Sequence, residues 1–177
     1  MASQRGFTLI ELMVTVTVAA ILISVAIPFF RDVIISSRLN TISLEIADAL
    51  ALARSESIKR NRTITFCRTN SADSHQCNSD SEWAHWLIRE GASGTDEDSV
   101  IKYGSFGEHS NITITAPAIS SSQLNFSSDG LVRSSGSLID NVQFIICANN
   151  ITQNSTHTVN IGAAGQISIV KSDGACE

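Results

Sequence analysis

The chain has 177 residues, of which 43% are hydrophobic, 6% aromatic and 16% charged, and its net charge is −5. This composition excludes a polytopic membrane protein and allows one modest domain beyond a single anchor. The acidic balance also excludes a general electrostatic attraction to nucleic acid or to anionic lipid.

The first element is an apolar run near the N-terminus. No residue from Leu12 to Phe30 is charged, which is nineteen positions. A helix of that length covers roughly 28 Å, close to the hydrocarbon thickness of a bilayer. The run passes into further helical sequence without an Ala-x-Ala cleavage site, so the pattern favours a membrane helix over a secretory signal peptide.

One carboxylate, Glu11, lies at the N-terminal edge of this run. Lipid penalises a charge that lies deep, so an ionisable residue here is expected to have a function and a partner. If the chain were cut after Gly6, the new ammonium group of Phe7 would be a cation of the right sign at the right depth. The sequence therefore predicts a pairing between Glu11 and a free N-terminus.

The segment from Gly6 to Glu11 (GFTLIE), followed by the apolar run, resembles the processing signature of type IV pilins and type II secretion pseudopilins. The resemblance implies that a prepilin peptidase cuts between Gly6 and Phe7 and methylates the new N-terminus. It also implies that Glu11 engages the N-terminus of a neighbouring subunit in the filament. Residues 1–6 would be the leader peptide, and residues 7–30 the transmembrane and filament-core helix.

The helix is predicted to continue to about Lys59 as an amphipathic helix, with a kink or local melting at Pro28, which lacks an amide donor. Apolar residues recur beyond Phe30 at spacings of three and four, which places them on one face. They are Ile35, Leu39, Ile42, Ile46, Ala49 and Ala53. A coiled-coil seam is the alternative, but the stripe is short, so residues 31–60 are expected to pack on a globular domain.

From Asn61 the hydrophobic period becomes strand-like, with short β-branched segments between turn residues. The predicted strands are Thr63–Cys67, Trp83–Ile88, Val100–Tyr103, Ile112–Thr115, Val142–Cys147, Thr158–Ile161 and Gln166–Val170. Turn signals lie at 128–130, 134–136 and 164–165, and loops at 69–81 and 91–98. The expected fold class is α+β, a long N-terminal helix followed by an antiparallel β-sandwich-like exported domain over residues 61–177.

Four cysteines lie in the predicted exported domain: Cys67, Cys77, Cys147 and Cys176. They form no CxxC motif, and no histidine stands at metal-ligand spacing from them. An even number of cysteines behind a membrane anchor favours disulfides over zinc. Three connectivities are possible, of which we favour the pairing of neighbours, Cys67 with Cys77 and Cys147 with Cys176.

A long helix followed by strands with small polar turns is similar to the minor pilin branch that includes FimT and FimU, and to the GspH pseudopilins. The similarity rests on four segments: 53–57, 83–88, 128–132 and 164–168. It implies a low-abundance minor pilin near the pilus tip that supports pilus assembly. A GspH-like minor pseudopilin of type II secretion is the alternative within the same class.

The resemblance also implies partners and a location. The partners are other major and minor pilins, the prepilin peptidase, and the bacterial inner membrane before assembly. The chain would cross that membrane once, with its C-terminal domain in the periplasm, and then enter a pilus or pseudopilus filament.

A third alternative is a FimT-like DNA receptor for natural transformation. Such receptors resemble one another in a Gly-Arg-x-Arg element near the C-terminal strands. Here the corresponding turn, Gly165–Ser168, reads GQIS, so both arginines are absent. Residues 61–177 carry six basic and twelve acidic residues, a net charge of −6. DNA is therefore not expected as a partner.

No catalytic constellation stands out in the sequence. There is no Gly-x-Ser-x-Gly motif, and the four histidines, His75, His85, His109 and His157, are scattered. The acidic run 96–98 lacks the spaced ligands and the glycine of a calcium loop. Since no phosphate-binding glycine loop occurs either, we expect no enzyme, no metal and no cofactor.

Overall fold

The computed structural model describes residues 6–71, 73–78, 83–91, 97–107, 111–117, 119, 122–134, 137–149, 151, 153–162, 164–174 and 176. Over these residues the chain forms one long α-helix, a short 3-10 helix and ten strands. It divides into two compact units: unit 1 ends at Ser37 and unit 2 begins at Arg38. The division falls inside the long helix.

The helix, α1, runs from Leu9 to Arg60. Glu11 lies in its first turn and Lys59 and Arg60 in its last, which complements the helix dipole at both ends. The backbone stays helical through Pro28, where the sequence predicts a kink or local melting. A proline removes one helical hydrogen bond, and the turns on either side keep the helical conformation here.

The strands follow in chain order as β1 Ile64–Thr69, β2 His85–Glu90, β3 Val100–Ser105, β4 Ile112–Thr115, β5 Gln123–Phe126, β6 Val132–Ser134, β7 Ser137–Leu138, β8 Val142–Ala148, β9 Thr156–Ile161 and β10 Ile167–Ser172. Sheet 1 has the order β3-β2-β1-β5-β6-β7, and sheet 2 the order β10-β9-β8-β4. All strand pairs are antiparallel. The predicted class, a long N-terminal helix followed by antiparallel sheets, is confirmed.

Aromatic side chains join the two sheets in the core. Phe66 of β1 lies edge-on to Phe144 of β8, with ring centroids 5.8 Å apart. Trp83 stacks on Phe66 at 5.6 Å and meets Phe144 edge-on at 5.0 Å. Such pairs contribute roughly 0.5–1.5 kcal/mol beyond the area that they bury, so this cluster fixes how the sheets face each other.

The part of α1 in unit 2 lies against both sheets. The stripe residues Leu39, Ile42, Ile46, Ala49 and Ala53 are buried. Polar contacts mark the same face: Trp86 Nε1 of sheet 1 donates to Glu45 Oε1 at 3.2 Å, and Lys171 Nζ of sheet 2 donates to Asn40 Oδ1 at 3.1 Å. The helix therefore closes the core rather than forming a coiled-coil seam with this face.

Two disulfides brace unit 2. Cys67 is bonded to Cys77, with Cα atoms 5.6 Å apart, and Cys147 to Cys176, with Cα atoms 5.5 Å apart. Cys67 lies in β1, which has a partner on each side in sheet 1, and Cys147 lies in β8, which is flanked likewise in sheet 2. Each bridge therefore ties a loop or a chain end to an interior strand.

Three strands, β5, β6 and β7, were not predicted from the sequence. β6 and β7 have three residues or fewer, and the four residues of β5 (QLNF) alternate but include no β-branched side chain. β5 nevertheless buries Leu124 and Phe126 and pairs with β1, so it belongs to the core of sheet 1. The other strands lie where the sequence predicts them, with ends displaced by at most two residues.

Candidate functional site

Residues 6–8, directly ahead of α1, are exposed and not helical. Residues 6–8 have no regular secondary structure, and α1 begins at Leu9. Phe7 is 89% exposed, and no atom of the other described residues lies within 4 Å of a Cβ built on Gly6. The peptide bond between Gly6 and Phe7 is therefore clear of the other residues that the structure describes in unit 1.

Thr8 and Glu11 form a capping box at the start of α1. The Thr8 Oγ1 atom accepts a hydrogen bond from the Glu11 amide at 3.3 Å. In return, Glu11 Oε2 accepts from the Thr8 amide and from the Thr8 hydroxyl, each at 2.9 Å. This reciprocal pattern satisfies backbone donors that have no partner inside the helix.

The capping box gives Glu11 a local structural role that the sequence reasoning missed, although its Ser/Thr-x-x-Glu signature was available. The structure brings together Glu11 and Thr8, three residues before it. A carboxylate has about four lone-pair sites, so Glu11 can hold this cap and still accept from an ammonium group.

The apolar part of α1 that follows the cap has an exposed surface. Large hydrophobic side chains are exposed along unit 1, among them Leu12, Ile23 and Phe30. By length and composition α1 can cross a membrane, and its most apolar window has no residue buried inside the protein. Such a surface fits either lipid or other helices.

A second site, the Arg54 cluster, lies in unit 2 and consists of Arg54, Ile58, Gly130 and Gly165. Arg54 Nη1 donates to the Gly165 carbonyl oxygen at 3.0 Å. Gly165 has a φ of 70°, and a Cβ built there would lie 2.7 Å from Arg54 Nε. Gly130 has a φ of 73°, and its Cβ would lie 2.8 Å from Ile58 Cδ1. Only glycine fits at either position, for reasons of conformation and of space.

The cluster joins the end of α1 to one turn from each sheet. Gly130 lies between β5 and β6 of sheet 1, and Gly165 between β9 and β10 of sheet 2. Three of the four segments that carry the minor pilin resemblance therefore meet at one place. The sequence singles out these segments, but no local pattern predicts that they meet in the fold.

A groove of about 410 Å³, which we call the Arg54 groove, opens beside this cluster. It is lined by Ala51, Arg54, Ser55, Ile58, Gly165, Gln166 and Ile167. Apolar and small residues form most of the lining, and Arg54 supplies its charge.

Of the described histidines, His75 and His157 have separate polar partners. His75 contacts the Tyr103 hydroxyl, and His157 Nδ1 lies 3.0 Å from Ser43 Oγ. His85 lies in β2, and His109 falls outside the described residues. Among the residues that the structure describes, no group of three His, Cys, Asp or Glu side chains could hold a metal ion.

Comparisons with known protein families match most of the chain. The family model for the type II transport protein GspH matches residues 44–165. The prokaryotic N-terminal methylation motif matches residues 1–27, which include Gly6, Phe7 and Glu11. Pilin and pseudopilin families consist of structural subunits rather than enzymes.

Two crystal structures of the type IV minor pilin FimU from Pseudomonas aeruginosa PAO1 have a similar fold. The P21 form matches with a TM-score of 0.57 at 18% identity, over 76% of this chain and 89% of that chain. The P65 form matches with a TM-score of 0.54 at 18% identity, over 74% and 91%.

A curated relative matches over a short segment. The type IV major alpha-pilin of Moraxella bovis is 43% identical over 47 residues, which is 27% of this chain and 30% of that pilin. The chain therefore spans less than a third of that relative's length. With the GspH model covering well over half of its residues, the chain belongs to the GspH family and carries the prokaryotic N-terminal methylation motif.

Proposed function

We propose that this chain is a minor type IV pilin, a structural subunit that lies near the pilus tip and supports pilus assembly. The observation that carries the proposal is the likeness to the minor pilin FimU, which extends over 89% of that structure. The exposed apolar part of α1 behind an N-terminal methylation motif supports it, because it supplies a surface against which other pilins can pack.

Processing precedes assembly in this proposal. The prepilin peptidase cleaves between Gly6 and Phe7 and methylates the new amino group of Phe7. Residues 7–30 hold the subunit in the bacterial inner membrane, with its C-terminal part in the periplasm, until it joins the filament. The exposed, non-helical conformation of residues 6–8 supports this order, since proteases cut most readily where the chain is exposed and unstructured.

Glu11 then has two roles in the proposal. Its Oε2 atom completes the capping box with Thr8 in the same chain. Its Oε1 atom accepts from the Phe7 ammonium group of a neighbouring subunit, whose charge would otherwise be buried without a partner. Breaking a buried ion pair by removing one member costs roughly 3–5 kcal/mol.

The test compares Glu11→Ala with Thr8→Ala. We expect both variants to be cleaved at Gly6–Phe7 and inserted in the membrane. Glu11→Ala should reduce the copies in sheared filaments by about tenfold or more, because the partner ammonium loses its counter-charge. Thr8→Ala removes only the cap, worth about 1 kcal/mol, and should leave most copies in place. Quantitative immunoblotting of sheared filaments measures both.

The two variants separate capping from pairing between subunits. Equal losses in both would show that the helix cap is what matters. Normal copy number of Glu11→Ala would refute the pairing role.

The second candidate is a minor pseudopilin of type II secretion. The match of residues 44–165 to the type II transport protein GspH favours it. Filaments sheared from cells that lack either the pilus genes or the secretion genes distinguish the two, and the genes adjacent to this one give the same information. A DNA receptor has less support, since the turn Gly165–Ser168 carries no arginine.

A further inference from the structure

The Arg54 groove lies on a face of unit 2 that the other described residues leave uncovered. Ile58 is 52% exposed on one wall, and Ala51 and Ser55 are exposed on the same side of α1. The opposite wall is the turn between β9 and β10, with Gly165, which holds the turn in place by accepting from Arg54. The hydrogen bond from Arg54 to Gly165 therefore connects the two walls of the groove.

Arg54 carries a charge without a counter-charge in the described part of unit 2. The ion pairs there join Lys59 and Arg60 to Glu56, Arg60 and Arg62 to Glu90, and Arg133 to Asp129. The Arg54 guanidinium donates to a neutral backbone carbonyl. Its Nε atom is buried without a hydrogen-bond partner among the described residues. A partly desolvated guanidinium with so few partners favours a carboxylate at its open side.

The apolar walls of the groove distinguish among the anions that could pair with Arg54. A free inorganic anion would pair with Arg54 but leave Ala51, Ile58 and Ile167 in contact with water. A protein segment can pair with Arg54 and also cover the apolar wall, because apolar side chains can flank its acidic residue. A volume of about 410 Å³ exceeds the space that one carboxylate needs and lies within the range of preformed binding sites.

We infer that the Arg54 groove receives an acidic side chain, flanked by apolar residues, from a different pilin next to this subunit in the filament. The inference rests on the proposed function, since it requires a neighbouring subunit. The guanidinium pairs with the partner carboxylate, while Ile58 and Ile167 contact its apolar neighbours. The surface is distinct from the apolar helix of unit 1 and adds selectivity for one neighbour by charge.

The test places a competing carboxylate inside the protein. Ala51 precedes Arg54 by three residues, so Ala51→Glu can pair with Arg54 within the helix. We expect the variant to melt at or above the wild-type temperature and yet to fall about tenfold in filament copy number, because the partner loses its cation. Ala51→Gln has the same size without the charge, and should remain within about twofold of wild type.

A cross-linking measurement identifies the occupant. Ser55→Cys in the full chain, labelled with a benzophenone maleimide and illuminated in assembled filaments, should attach to another pilin within a few residues of an Asp or Glu. Thr113→Cys on β4, at the opposite edge of sheet 2 from β10, is the matched exposed control and should not label that segment.

Each outcome decides the inference. Equal loss for Ala51→Glu and Ala51→Gln would show a docking surface that needs no carboxylate, and would overturn it. Wild-type incorporation of Ala51→Glu, or a cross-link to this chain itself or to a segment without an acidic residue, would also overturn it. If the wild-type chain is absent from filaments, the proposed function fails and the inference with it. If the wild type and Ala51→Glu are present equally, only the inference fails.

Discussion

A single buried histidine joins α1 to sheet 2. Ser43 Oγ donates to the Leu39 carbonyl at 2.6 Å, so the proton between Ser43 and His157 must sit on His157 Nδ1, 3.0 Å away. The other ring nitrogen, Nε2, is buried without a hydrogen-bond partner among the described residues. A second proton there would have no acceptor, which makes the neutral ring the stable form.

Burial, and then the positive charge of Lys171, lower the pKa of His157 from its ordinary value of 6.5. Lys171 is the register partner of His157 in the β9–β10 ladder. Because the folded pKa lies below the unfolded one, the unfolded chain takes up a proton at a higher pH than the folded chain. The contribution of His157 to stability is therefore complete above pH 6.5 and decreases as the pH falls below it.

We expect the melting temperature of a soluble fragment, residues 31–177, to decrease between pH 7 and pH 5. His157→Gln cannot titrate and should flatten this dependence, whereas His75→Gln leaves the contact between α1 and β9 intact and should keep it. Thermal melts at several pH values measure the effect. Identical slopes for wild type and His157→Gln would contradict the assignment.

At the level of elements, the two disulfides differ in the length of chain that they close. Cys67 and Cys77 are 10 residues apart, and Cys147 and Cys176 are 29 apart. A longer closed loop removes more entropy from the unfolded chain. The second bridge should therefore contribute more to the free energy of unfolding.

We expect the Cys147→Ser and Cys176→Ser double variant to lose roughly 3–4 kcal/mol, and the Cys67→Ser and Cys77→Ser double variant roughly 2–3 kcal/mol. Denaturant unfolding of fragment 31–177 under oxidising conditions measures both, and thiol titration of the wild type should find no reactive thiol. A larger loss for the shorter loop would contradict the entropic explanation.

The long elements could be predicted from the sequence because their patterns extend over many residues. The uncharged run and the stripe from Ile35 to Ala53 predict α1, and β-branched runs predict most strands. The short strands β5–β7 could not be predicted, since each depends on its pairing: β5 with β1, β6 with β5, and β7 with β6. Local pattern carries little information where tertiary contacts decide the conformation.

The candidate site likewise has residues that the sequence reveals and residues that only the fold brings together. Gly6, Phe7 and Glu11 form a contiguous motif that one sequence can reveal. The Arg54 cluster joins residues more than a hundred positions apart, and its glycines are fixed by contacts that no local spacing encodes. The contact of Ser43 with His157 is equally remote in sequence.

For the molecule as a whole, the basic residues beyond position 60 have partners within the protein. Arg62 Nη1 lies 2.6 Å from Glu90 Oε1, and Arg133 Nη2 lies 3.2 Å from Asp129 Oδ2. The other four contact rings or polar atoms: Arg68 lies over Trp83, Lys102 over Trp86, Arg89 donates to the His75 carbonyl, and Lys171 donates to Asn40. These contacts hold the cations apart rather than in a row that could follow a phosphate backbone.

We therefore expect fragment 31–177 to give no mobility shift with duplex DNA at micromolar protein and about 0.15 M salt, where surface charges are screened within roughly 8 Å. An electrophoretic assay at several salt concentrations tests this. A shift that disappears on Arg62→Ala or Arg133→Ala would favour the DNA receptor over the minor pilin, whereas Lys59→Ala on α1 serves as a control outside the exported domain.

The bridge between Cys147 and Cys176 also decides how the subunit responds to tension. It encloses β9 and β10 in one covalent ring with the end of β8. A force applied between α1 and a point beyond Cys176 passes through the bridge and bypasses these two strands. The two cysteines are 29 positions apart, and the segment that joins them, roughly 100 Å when extended, cannot be drawn out while the bond is intact. If sheet 2 lost its hydrogen bonds under such a load, the bridge would still hold the two ends of the β9–β10 segment together. The strands beside the Arg54 groove would therefore stay attached to β8.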